Sequence, residues 1–426
     1  MMSVVRMAVV SLVCALGASA QYPAGGVVTR VLQDSRYQSA TGSFDTDYPR
    51  FVRDIIALTE VPAPPFKEDA RAAAFAALMR ETQPTSVERD AEGNILALRQ
   101  GTDPMAPVVV FAAHLDTVFP EGTDVTVRRA GTRLSAPGIG DNAQGAAMLV
   151  ALSRAMQAAG VRTKNSILFV GNVGEEGTGD LRGMKYLFTK GAYRNRVGTF
   201  VSIDGVGRGD FITTGGVGSR RYRVTFRGPG GHSYGAFGLV NPANAIATAI
   251  QKLSAIRVPA SPKTTFNVGT IGGGTSVNTI PSSAWMDVDL RSESAAELEK
   301  LDEAFETAVA EAVAAENQAR SVEQGRITVS VDLLGARPSG QTPDTSRLVQ
   351  VADAAARAMG LSPTLGSSST DANLPMSLGI PAITIDSGLG GGRPHAPDEW
   401  IDVDRGRAVS GFHRVLLLLL ALADLQ

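Results

Sequence analysis

Val108-Val-Val-Phe-Ala-Ala-His114-Leu-Asp116-Thr-Val118 is the stretch on which the reading of this chain turns, because an apolar run ends directly in a histidine and an acid. The run reads as a strand, and residues at i and i+2 of an extended segment point the same way. Asp116 could therefore hold one ring nitrogen of a metal-bound His114, or the two could be an ordinary hydrogen-bonded pair at a strand end. The neighbouring segments decide between these.

Helical periodicity appears over residues 48–58 and 67–81, with Val61-Pro-Ala-Pro-Pro65 as the break, and the residues before about 46 read as a polar stretch. Short β-rich runs at 94–98 and 108–112 precede a Gly-flanked helix at 144–159 and strands at 166–170 and 199–203. Strands alternating with helices predict the α/β class, with a mixed sheet flanked by helices. Beyond Arg220 the texture changes to strand 222–227, helix 242–256, strands 265–271 and 284–291, helix 295–320 and strand 327–333. This β-α-β-β-α-β order is that of a small two-layer sandwich. The first pattern resumes at Thr345, with a helix to Met359, a strand at 382–385 and a last helix from Asp404. The expected organisation is a discontinuous main domain, 21–216 and 336–426, interrupted by an inserted domain, 217–335.

The 426 residues are 44% hydrophobic and 19% charged, with 40 basic against 42 acidic side chains and a net charge of -2. This near-neutral balance offers no electrostatic footprint for nucleic acid, and the apolar content is that of a packed protein. Residues 1–20 carry Arg6, then an apolar segment, then Ala18-Ser19-Ala20, the pattern of a secretory signal cleaved after Ala20. The expected location is therefore periplasmic or extracellular. Cys14, the only cysteine, lies inside this segment, so metal chemistry in the mature chain must use histidines and carboxylates. The apolar run 415–423 has nine residues, short of the roughly 20 that span a bilayer, and reads as a buried terminal helix with no membrane span.

Four more segments carry candidate ligands. Gly138-Ile-Gly140-Asp141-Asn142 opens the helix at 144; Gly174-Glu175-Glu176-Gly177 and Asp204-Gly205 follow apolar strands; Gly392-Arg-Pro394-His395-Ala396 is a glycine-rich loop. Asp141 could cap its helix or bridge two cations, and Glu175-Glu176 could be an exposed acidic turn or a ligand beside a proton acceptor. Taken together, two histidines and several acids at strand ends and glycine loops suit a two-metal site of nitrogen and oxygen ligands.

The ordered set His114-x-Asp116, Gly-x-Gly140-Asp141, Glu175-Glu176-Gly, Asp204-Gly and His395-Ala, with a β-α-β-β-α-β insert between the last two, resembles the M20 metallopeptidases from about Val61 onward. The resemblance implies a catalytic domain with two Zn2+, for which Co2+ or Mn2+ can substitute, and an inserted lid through which the chain forms a homodimer. It implies that His114 and Asp204 ligate one zinc, that Glu176 and His395 ligate the other, and that Asp141 bridges them. Asp116 would orient His114 and Glu175 would be the general base. In the insert, Gly228-Pro-Gly-Gly231-His232-Ser233 resembles the loop whose histidine stabilises the oxyanion, often across the dimer. Asn278 and Arg291 match positions that hold the substrate's carboxylate or backbone. Asn142 departs from the pattern, since many members have an acid there; its acceptor is kept, so zinc binding should survive. The implied function is hydrolysis of an amide bond in a small peptide, aminopeptidase-like, with Asp204 in place of glutamate favouring di- and tripeptides. The alternatives are an N-acyl amino acid amidohydrolase, a carboxypeptidase, or an inactive binding protein on the same fold.

Overall fold

The computed structural model describes residues 24–426, so the signal expected over residues 1–20 lies outside the described residues. Nine strands form one mixed sheet. At its centre Val108–His114 and Ile167–Asn172 are buried at every residue. Val108–His114 runs parallel to Ile167–Asn172 on one side and Val197–Ile203 on the other, and Ala382–Ile385 joins the latter in parallel. Strands covered on both faces need near-continuous apolar runs, which these sequences supply. Antiparallel strands complete the rims: Ser86–Arg89 and Ile95–Arg99 beside Ile167–Asn172, and Phe211–Gly216 beside Ala382–Ile385. In the central register His114 stands beside Asn172 and Ala112 beside Ser202, so the strand ends leading to Glu175 and Asp204 are brought level. The carboxyl ends of parallel strands are where such sheets build their sites.

One result differs from the sequence expectation. The stretch before residue 46 is helical, as Ala24–Gln33 and then the 25-residue helix Ser35–Thr59, started by Asp34, whose side chain accepts from the Arg36 N–H. Phe44, Phe51, Ile55 and Leu58 form its buried stripe; the polar and small residues between the first two dilute the period in the sequence. The terminal helix begins where the sequence reading places it, capped by Asp404, and its second half is the apolar run 415–423. Arg405–Ala423 spans 19 residues and is the one helix among the described residues long and apolar enough to cross a bilayer, yet 72% of its apolar window is buried inside the protein. It is a core element: the rings of Phe412 and Phe44 stack with centroids 3.7 Å apart.

The chain leaves the main sheet after Gly216 and returns at Gly340–Gln341, which pairs with the same strand. Between these points a separate antiparallel sheet runs in the order Thr264–Gly273, Ser283–Ser292, Gly218–Arg227, Thr328–Arg337. Ser283–Ser292 alternates in burial, so Ala284, Met286, Val288 and Leu290 face one side and Trp285, Asp287, Asp289 and Arg291 the other. The helices Pro242–Ser254 and Ala295–Ala319 cover the first side, and Val224, Phe226, Met286, Leu290 and Phe305 form a core of its own there. The opposite, charged side is the one that carries Arg291.

Candidate active site

His114 ends its strand with a ring that is 1% exposed. Its Nδ1 donates to the Asp116 backbone carbonyl at 3.1 Å, with the Asp116 carboxylate at 3.6 Å. A carbonyl can only accept, so Nδ1 carries a proton and Nε2 is the ring atom turned toward the remaining carboxylates. The Asp116 carboxylate itself accepts from the backbone N–H groups of Glu175 at 3.0 Å and Glu176 at 2.7 Å. Burial opposes its charge, but His114 and these N–H donors hold the carboxyl below the usual range. Gly174, at φ +66°, permits the turn that brings both N–H groups to one carboxylate. Asp116 thus fixes the histidine and the acidic pair at once.

His114 Nε2 lies 2.8 Å from Asp141 Oδ1 and 3.5 Å from Asp204 Oδ1. His395 Nε2 lies 3.2 Å from the other Asp141 oxygen and 3.1 Å from Glu176 Oε1. One carboxylate therefore faces two imidazoles, one oxygen each, and each imidazole has a second carboxylate beside it. The ligand atoms of His114, Asp141 and Glu176 all fall within 4.8 Å of one another. Burial favours a neutral His114, but hydrogen bonds to Asp116, Asp141 and Asp204 outweigh it and raise the ring well above its usual range. Hydrogen bonds to Asp141 and Glu176 push His395 up to about 10. Asp141 is held well below the carboxylate range, since the two histidines overcome its burial. Such a cluster draws positive charge into itself, and with imidazole and carboxylate donors the residues fit two divalent cations.

The loop that presents Asp141 is held by a residue the sequence reading did not single out. Glu399 accepts from the N–H groups of Gly138 at 3.0 Å, Gly140 at 2.7 Å and Asp141 at 2.7 Å. A Cβ on Gly140 would stand 2.9 Å from the Glu399 carboxylate, so only glycine admits this approach. Burial and the nearby Asp141 charge push Glu399 up to about 7. Replacing one of its oxygens with an amide nitrogen turns a donor toward a donor. Glu399→Gln is therefore expected to lower metal affinity about 10- to 100-fold, the usual effect of removing a group that orients a ligand, as read by metal titration of the folded variant.

Asn142 is fully buried, and its side chain donates to the Ile203 carbonyl at 2.8 Å. An ionised aspartate could not make that bond, so the amide suits this neighbour without altering the ligand set.

The cluster opens into a cavity of about 1080 Å³ lined on one side by Asp141, Glu175, Glu176, Asp204 and His395 and on the other by Arg221, Asp289 and Arg291 of the insert. Asp289 accepts from Arg291 Nε at 2.7 Å, and the two terminal nitrogens of Arg291 have no hydrogen-bond partner among the described residues. Burial raises the Glu175 carboxyl well above its ordinary value, against the opposing pull of Arg337, whose Nη1 lies 2.8 Å from it. His232 and Asn278 are not brought to this cavity within one chain. His232 is exposed and its Nδ1 accepts from the N–H groups of Tyr234 and Gly235; Asn278 faces Ser276. They lie beside one another, with His232 paired to Thr279. Arg337, Glu399 and the buried Asp371, which Asn172 contacts at 2.8 Å, were not among the expected residues. The available signals were an acid four residues after His395 and an arginine after Gly335-Ala at the end of the insert.

The model of Peptidase family M20/M25/M40 matches residues 110–418, well over half of the chain. The chain belongs to this family. It is accordingly a hydrolase of the M20 peptidase and amidohydrolase type, as the ordered motifs implied. No curated protein matches the sequence. Among solved structures, aminopeptidase PepT from Bacillus cereus is 21% identical with a TM-score of 0.72, covering 88% of this chain and 99% of that one. The YXEP protein of Bacillus subtilis, described as a dinuclear metal-binding peptidase of the family, is 16% identical with a TM-score of 0.64, over 89% and 99%. A hydantoinase/carbamoylase family amidase from Burkholderia ambifaria is 21% identical with a TM-score of 0.59, over 89% and 98%. These likenesses show that this M20 chain has the family's α/β fold, in which both peptidases and amidases occur.

Proposed function

We propose that this M20 hydrolase is an exported dizinc peptidase that cleaves di- and tripeptides from a free N-terminus. The observation that carries the reading is the Asp141 carboxylate with one oxygen toward each of two histidines, at the floor of a cavity whose far wall offers a free arginine fork. His114 and Asp204 would hold one cation and Glu176 and His395 the other, with Asp141 shared. Divalent cations at such a site supply Lewis-acid polarisation of a carbonyl and a water of lowered pKa. Zinc suits a set of nitrogen and oxygen donors without thiolate.

The chain's own residues do the rest. Glu175 takes the proton of the attacking water and delivers it to the leaving amine. Arg291 grips the substrate's carboxylate with its two terminal nitrogens while Asp289 steadies its Nε. The cavity volume, at the upper end of the roughly 300–1,000 Å³ of small-ligand sites, suits a short peptide and excludes a folded protein. His232 would act across a homodimer formed by the insert. Its exposure, beside Tyr234 at 89%, Phe237 at 84% and Val277 fully exposed, supports a partner over this loop. Residues 1–20 support export.

The amidase among the similar structures keeps N-acyl amino acid hydrolysis as a second reading. The test is metal content of the purified protein together with chelator-sensitive hydrolysis of free and N-acylated di- and tripeptides. The proposal expects about two zinc ions per chain and turnover of the free peptides. Turnover of the N-acylated set alone replaces it with the second reading, and an active monomer in sedimentation removes the cross-dimer role of His232.

A further inference from the structure

Arg337 is the last residue of the insert's outer strand and pairs in register with Ser219, so the two connections between insert and main sheet pass side by side here. Its side chain points into the catalytic cluster. Nη1 donates to Glu175 Oε1 at 2.8 Å and to Ser369 Oγ at 3.2 Å, and Nη2 donates to the Glu175 backbone carbonyl. The two side chains are 5% and 6% exposed, a pair almost removed from water. The backbone behind the guanidinium is pinned as well. The Ala336 N–H donates to Asp180 at 3.0 Å, Lys185 donates to the Ala336 carbonyl at 3.0 Å, and a Cβ on Gly335 would stand 3.0 Å from Asp180.

A buried carboxylate beside Glu176 needs a fixed cationic partner to hold one orientation. Here the partner takes Oε1 and leaves Oε2 without a hydrogen-bond partner among the described residues, in a side chain that lines the cavity. We infer that Arg337 is a positioning residue: from the junction of the insert it clamps Glu175 so that one carboxylate oxygen stays aimed at the reacting groups. The inference rests on Glu175 being the proton carrier proposed above.

The test compares Arg337→Ala, Arg337→Lys and Glu175→Gln with the metal-loaded full-length enzyme, using a tripeptide substrate, with metal content and thermal melting recorded for each. Arg337→Ala is expected to lose about a hundredfold in kcat, as small misplacements of a reacting group do, with KM and metal content little changed. Added guanidinium chloride should restore part of that turnover, which a purely structural role of the junction would not allow. Arg337→Lys, lacking the planar fork, should fall between. Should Arg337→Ala not fold, the kcat against KM split of Arg337→Lys decides. A rise in KM with kcat intact, or a folded Arg337→Ala that guanidinium does not rescue, overturns the inference. If Glu175→Gln is inactive while Arg337→Ala keeps wild-type kcat, only the positioning role fails. If Glu175→Gln keeps wild-type kcat, the proton-carrier reading fails and the inference with it.

Discussion

Glu175→Gln is expected to abolish turnover while leaving bound metal close to the wild-type content. Glu175 touches neither histidine of the cluster; the carboxylate beside His395 is that of Glu176. The amide keeps the size of the side chain and an oxygen to accept from Arg337, so the local packing should hold. It cannot take a proton at neutral pH. General acid–base groups contribute about 10²–10⁴ in rate, and the same carboxylate is asked to act in both directions of the proton's path, so the upper end is expected. Steady-state kcat beside elemental analysis of the same sample decides it. A fully active, metal-loaded variant would remove Glu175 from the chemistry.

Asp141→Ala is expected to act one step earlier, on the metals themselves. Among the described residues its carboxylate is the one group that reaches both His114 and His395, at 2.8 and 3.2 Å. Without it His114 keeps Asp204 and His395 keeps Glu176, two separate pairs with nothing shared. Metal stoichiometry should fall below one per chain where the wild type is filled. Loss of Lewis-acid assistance worth about 4 kcal/mol corresponds to at least a thousandfold in kcat. The measurement is metal content after dialysis, with activity followed as zinc is added back. Retention of two ions with wild-type turnover would show that Asp141 is not the bridge. The loop should survive the substitution, because Glu399 holds it through backbone N–H groups that alanine retains.

The parts of the fold that were legible are those where burial writes itself into composition. Val108–His114 and Ile167–Asn172 are apolar because both faces are covered, and each leads straight into a site residue. The insert could be read from its alternation and from a long helix begun by Ser294. Phe211–Gly216 escaped notice because it ends Thr-Thr-Gly-Gly and owes its pairing to strands far along the chain. Arg182–Thr189 starts on a left-handed Leu181 with no side-chain cap, so it carries no start signal. Within the site, His114 was recognisable by the apolar run it ends, Asp141 and Glu176 by flanking glycine, and His395 by its glycine-rich loop. Arg337 and Glu399 were not, because their meaning lies in partners 162 and 261 residues away.

The position of Arg405–Ala423 in the core has a consequence for how the chain comes to be folded. Strands at 108–203 need Ala382–Ile385 to complete their sheet and this helix to cover it, so the main layer stays open until residues beyond 400 have been made. The insert, contiguous from 218 to 337 and with its own core, can close first. During synthesis the cavity wall that carries Arg291 would then exist before the cluster around Asp141. His395, the proposed ligand, and the helix that completes the main core arrive together, so on this proposal metal capture and closure of that core become one late event.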